Sequence, residues 1–89
     1  MAWTIELEKA ARRDLAELDA SVTKRILTFL HDRVAKLDDP RSIGQALSGP
    51  RFGELWKYRL GDWRIIAKIR DTEIKILVVR IGHRREVYR

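Results

Sequence analysis

The chain has 89 residues, a net charge of +6, no cysteine and two widely separated histidines, His31 and His83. That length makes one domain, residues 1–89, with a modest core, and the lack of thiols excludes disulfide frameworks and thiolate metal sites. No run approaches the roughly 18 apolar residues of a membrane span, and the N-terminus lacks the basic and apolar regions of a signal peptide. A cytoplasmic protein without cofactor, metal or membrane contact is therefore the expectation.

The first predicted element is a strand, because Trp3-Thr4-Ile5-Glu6-Leu7 alternates apolar and polar residues. From Glu8 to Leu18 the residues Ala11, Leu15 and Leu18 recur at helical spacing, with Lys9, Arg12, Arg13 and Asp14 turned outward. Ser21 is placed to cap a second helix, in which Val22, Ile26, Phe29, Leu30, Val34 and Leu37 form one stripe. Asp38-Asp39-Pro40 closes that helix, and the glycine-rich stretch 41–53 reads as a loop. Three further strands follow at about 54–60, 63–70 and 73–82.

Charge is divided unevenly between the two halves. Residues 1–50 hold eight Lys/Arg and eight Asp/Glu, whereas residues 51–89 hold eleven against five. All of the excess thus lies in the C-terminal part, chiefly on the predicted strands and the tail, as expected of a surface facing a phosphate backbone.

Within the strands, the segment Trp56-Lys57-Tyr58-Arg59-Leu60-Gly61-Asp62-Trp63-Arg64 carries the most information. A two-residue turn at Gly61-Asp62 sets Leu60 opposite Trp63, Arg59 opposite Arg64 and Lys57 opposite Ile66. Trp56, Tyr58, Leu60 and Trp63 then face the helices. A second two-residue turn at Asp71-Thr72 pairs Ile69 with Ile74, Ala67 with Ile76 and Ile65 with Val78 on that same apolar face. The opposite face carries Lys57, Arg59, Arg64, Leu77, Val79 and Ile81 and leads to His83 and Arg84. Because the last two strands run antiparallel, Arg64 comes near Gly82-His83-Arg84 and the tail that carries Tyr88. Two arginines directly opposite each other destabilise a sheet by some tenths of a kcal/mol, and a polyanion would relieve that repulsion.

Such a cluster suits metal-free cleavage of RNA. A base takes the 2′-hydroxyl proton, the 2′-oxygen attacks phosphorus, cations stabilise the phosphoryl charge, and an acid protonates the departing 5′-oxygen. Lys57, Arg59, Arg64, His83, Arg84 and Tyr88 are the candidate site residues, with Tyr88 able to stack on an unpaired base.

The stretch from Leu55 to Ile66, together with Val79-Arg80-Ile81-Gly82-His83-Arg84-Arg85-Glu86-Val87-Tyr88, resembles the RelE/ParE toxin superfamily on its RelE side. The resemblance implies an α+β fold: an N-terminal strand, a two-helix hairpin and an antiparallel three-stranded meander packed on the helices. It implies a type II toxin that cleaves messenger RNA in the ribosomal A site, in contact with 16S ribosomal RNA, and that a RelB-like antitoxin neutralises. Operator DNA would be reached only through the antitoxin complex. By the same resemblance Lys57 and Arg59 are the paired basic strand positions, Arg64 stabilises the transition state, Arg84 serves the leaving group and Tyr88 stacks on the base.

Well-studied members carry lysine where Arg59 stands, and arginine does not give up its proton near neutrality. The base would then be Lys57, His83, Glu86 or nothing strong; an imidazole, titrating near 6.5 when unperturbed, is chemically the best suited. Two alternatives share the fold: a gyrase-poisoning toxin of the ParE side, and a non-catalytic RNA-binding or co-repressor module.

Overall fold

The computed structural model describes residues 2–47 and 54–87. Strand β1 (Thr4–Leu7) opens the chain, followed by helices α1 (Lys9–Ala16) and α2 (Ala20–Thr28). The second helix continues as a wide π-helical turn, Phe29–Arg33, and a tight 3₁₀ turn, Val34–Lys36. Asp19, rather than Ser21, occupies its N-cap, without a side-chain capping bond. Strands β2 (Gln45–Ala46), β3 (Trp56–Leu60), β4 (Trp63–Arg70) and β5 (Lys75–His83) complete a five-stranded sheet in the order β1-β5-β4-β3-β2.

The α+β architecture is the expected one, and the sheet extends it at both edges. β1 joins parallel to β5, pairing Ile5 with Ile76 and Leu7 with Val78. The short β2 pairs Gln45 with Lys57 and Ala46 with Trp56, so the stretch expected to be loop supplies a further edge strand. A parallel neighbour needs a long crossover, which the helices provide.

Ala11 and Leu15 of α1, with Ile26, Leu30 and Val34 of the second helical run, pack on Tyr58, Ile65, Ala67, Ile76, Val78 and Ile81. Tyr58 is fully buried, and its hydroxyl donates to the Pro40 carbonyl at 2.6 Å. At the edges of this core, Trp56 Nε1 donates to the Ile43 carbonyl at 2.9 Å.

The β4–β5 connection departs from expectation. Instead of a two-residue turn, Asp71–Glu73 form a 3₁₀ turn and Ile74 follows with φ 50°, exposed to solvent. Four residues therefore turn the chain, and Ile69 meets Ile76 while Ala67 meets Val78. A bulge at Val79 then inserts one residue, so that Ile65 meets Ile81 and Ile66 meets Arg80. Ile81 was expected on the outer face; the bulge reverses its direction, and it lies in the core.

The bulge has a partner on α1. Asp14 Oδ2 accepts from Ile81 N at 2.9 Å and from Arg80 Nε at 2.9 Å. Asp14, read from sequence as outward, in fact caps the β5 edge where β1 has ended.

Candidate functional site

The β3–β4 reversal falls where the sequence places it. Leu60 pairs with Trp63 and Arg59 with Arg64. Gly61 has φ 59° while Asp62 has a negative φ, the pattern of a hairpin turn with glycine at the first central position. The two guanidinium-bearing residues are thus cross-strand neighbours on the face away from the helices.

Their environments differ. Arg59 is exposed, whereas Arg64 is only 7% exposed. Arg64 Nη1 donates to the Gly61 carbonyl at 2.8 Å and the Trp63 carbonyl at 2.9 Å. Among the described residues no carboxylate pairs with it. Two carbonyl dipoles fix this cation in place and leave its charge unneutralised, an expensive arrangement that a phosphate oxygen would complete.

Arg84 reaches the same turn from the other side. Its backbone N–H donates to the Asp62 carbonyl at 2.8 Å, and its Nε lies 3.7 Å from Asp62 Oδ1. Gly82 stands directly opposite Arg64, and a Cβ on Gly82 would come within 3.4 Å of the Val87 Cβ. Glu86 N and Val87 N both donate to the His83 carbonyl, at 2.8 and 3.0 Å, which folds the tail back on the strand end. Arg25, on α2, also approaches: its Nη2 lies 3.8 Å from where a Cβ on Gly61 would sit. Nothing in the helical spacing marks Arg25 as different from its solvated neighbours, and it was missed from sequence.

Lys57 is half-buried, two residues along β3 from Arg59 and opposite Ile66. Lys57, Arg59 and Arg64 share the outer face, with Arg84 at its end. His83 does not join them. It pairs with Trp63, whose side chain faces the helices, and the two rings meet edge to face at 5.7 Å and 87°. Its Nδ1 accepts from Arg85 N at 3.3 Å. The inserted Val79 fixes this parity: Gly82 takes the outer position beside Arg64, and His83 takes the inner one. His83 instead lines a cavity of about 380 Å³ with Trp63, Asp14, Glu17, Arg80 and Glu86, a hollow that holds three carboxylates and one guanidinium. Tyr88 lies outside the described residues.

On chemistry alone the cationic face can hold a phosphodiester and stabilise charge on it. Among the described residues on that strand face, Arg59 and Arg64 cannot accept a proton, which leaves the Lys57 amine as the candidate base. Among the described residues no three of His, Asp and Glu converge to hold a metal, and no helix is long and apolar enough to cross a membrane.

Comparison with known proteins bears on this fold directly. The toxin RelG of Mycobacterium tuberculosis is 26% identical over 89 residues, spanning all of this chain and 99% of the relative. The toxin–antitoxin complex RelBE2 of M. tuberculosis matches with a TM-score of 0.84 at 23% identity, covering 93% of this chain and 92% of that one. The archaeal RelE–RelB complex of Pyrococcus horikoshii matches at 0.71 and 22%, covering 98% and 100%. The isolated RelE toxin of Escherichia coli matches at 0.70 and 14%, covering 92% and 84%. The family described as ParE toxin of the type II toxin–antitoxin system parDE matches residues 5–88, nearly the whole sequence. The chain belongs to that family, and so to the RelE/ParE superfamily of type II toxins.

Proposed function

We propose that this toxin is an endoribonuclease that cleaves messenger RNA in the ribosomal A site, and that a RelB-like antitoxin neutralises it in the cytoplasm. The observation that carries the reading is the placement of Arg64, a buried cation with no carboxylate partner among the described residues, between Arg59 and Gly82, with Arg84 held at the same turn through Asp62.

In this reading the 2′-hydroxyl of the substrate is the nucleophile, so no metal-generated hydroxide is required. Loss of its proton lets the 2′-oxygen bond to phosphorus; the bond to the 5′-oxygen breaks, that oxygen takes up a proton, and a 2′,3′-cyclic phosphate remains. Arg64 and Arg59 face the non-bridging oxygens, where preorganised positive charge contributes most. Arg84 serves the departing oxygen, and Tyr88 stacks on the base. His83, turned toward Trp63, is not suited to take the proton, and Arg59 cannot. That role falls to Lys57 or to a group the ribosome supplies.

The same cations suit the acidic or amphipathic segment of an antitoxin, as the RelBE complexes among the similar structures suggest. Contact with operator DNA then comes through the antitoxin.

A second reading is favoured by the family description, which names ParE: a toxin that poisons gyrase by binding alone. Two assays separate them. Primer extension on a message translated in a purified system is expected to show cuts within codons only when ribosomes are present. Intact messages, with inhibition of supercoiling by purified gyrase, would replace the nuclease reading by the second.

A further inference from the structure

A second concave region lies at the free edge of β3, beyond the short β2, and encloses about 250 Å³. Its apolar walls come from Phe29, Ile43 and Tyr58, and its cations from Arg33, Lys57 and Arg59; among the described residues no carboxylate lines it. The walls are held firmly. Phe29 and Tyr58 meet edge to face at 6.3 Å, and the Tyr58 hydroxyl is tied to Pro40. Gly44, at φ 85°, permits the loop to press on β3: a Cβ there would lie 2.5 Å from the Lys57 carbonyl and 2.6 Å from Trp56 Nε1.

Phe29 and Arg33 are the first and last residues of the π-helical turn. Such turns are rare and occur frequently at functional sites. Among the described residues, neither Arg33 nor Arg59 makes an ion pair or a side-chain hydrogen bond. A hollow of this size takes one base-sized group, too little for a run of peptide side chains. It also runs continuously from the outer face, because Lys57 and Arg59 belong to both.

We propose that this hollow is a nucleotide subsite for the RNA strand next to the cleaved bond, with Arg33 pairing to a phosphate and the base lying against Phe29. The proposal rests on the nuclease reading for its substrate class, but it concerns binding and is measured as binding. The guanidinium fork of Arg33 matches a phosphate in two hydrogen bonds, and aromatic surface supports a base without regard to its identity.

The test uses the full-length toxin freed of its antitoxin and a fluorescent single-stranded RNA, 2′-O-methylated throughout so that it cannot be cut. Dissociation constants are measured by anisotropy across a salt series for the wild type, Arg33→Ala, Arg33→Lys and Arg33→Glu. Arg33 is exposed, so all variants are expected to melt with the wild type. Arg33→Ala is expected to weaken binding about tenfold, as for loss of a charged hydrogen bond. The slope of log affinity against log salt should fall by about 0.7, one phosphate contact on a single strand. Arg33→Lys should keep the slope and recover part of the affinity.

Unchanged affinity and slope in Arg33→Ala overturn the subsite, as does an Arg33→Glu defect confined to an acidic antitoxin peptide. A wild type with no salt-dependent RNA binding overturns it too. If the wild type binds with the predicted Arg33 dependence yet cleaves nothing on ribosomes, the subsite stands and the nuclease reading falls.

Discussion

Arg64 and Arg84 meet the same two-residue turn by different means, and their substitutions should separate accordingly. Arg64 is packed away and donates to two carbonyls; Arg84 is half exposed, with a loose 3.7 Å pairing to Asp62. An exposed pair of that kind contributes about 0–1 kcal/mol. Arg84→Ala is therefore expected to lose cleavage while its urea midpoint stays close to that of the wild type. Arg64→Ala should lower the cleavage rate by about 10²–10³-fold, with a stability loss of about 1–2 kcal/mol from the two vacated carbonyls. A cleavage rate unaffected by either change would remove both from the site. Tyr58 offers a different readout. Burial pushes its phenol well above the ordinary value near 10. The unfolded chain then ionises first, so the stabilisation is complete below about pH 10 and declines as pH rises above it. Tyr58→Phe should flatten that alkaline decline in urea titrations, at a cost of about 1–3 kcal/mol for the stranded Pro40 carbonyl.

The two hairpins show which features of an element can be read from residues. Gly61-Asp62 declares its turn type through glycine at a position that needs positive φ, and alternation from Trp56 to Arg64 then fixes the register. Asp71-Thr72 looks equally turn-like, but the chain takes four residues, ending in Ile74 at φ 50°, a conformation a β-branched residue rarely adopts. No composition rule announces that. The bulge at Val79 is equally silent in sequence, because the run Lys75–Ile81 alternates in no single phase. Its cause lies on another element: the Asp14 carboxylate holds Arg80 and the Ile81 amide. Without the inserted residue Arg80 would stand opposite Ile65 in the core, and His83 would take the outer position. Asp14→Ala should therefore cost about 1–3 kcal/mol for the unsatisfied amide, while Asp14→Asn, which keeps an acceptor oxygen, should recover part of it. Equal melting of both variants and the wild type would show that the bulge needs no such clasp.

At the scale of the whole molecule, the surplus charge of residues 51–89 is arranged by the sheet rather than spread over it. The outer face gathers Lys57, Arg59 and Arg64, the tail adds Arg84, and the helical run contributes Arg25 at one end and Arg33 at the other. The strand cations were legible because period two and a tight turn suffice to place them. The helical arginines were not, since their distance from the sheet depends on packing that periodicity does not encode. Family membership and fold follow from the whole chain, whereas the activity rests on this local arrangement, because one fold can carry unrelated functions. The most direct measurement is single-turnover cleavage of a message bound to purified ribosomes, comparing wild type with Arg64→Ala. The wild type is expected to cut at the A-site codon, leaving a 2′,3′-cyclic phosphate, and the variant to be slower by at least about a hundredfold while binding the ribosome. Equal rates in the two proteins, or an uncut message with the wild type saturating the ribosome, would contradict the account.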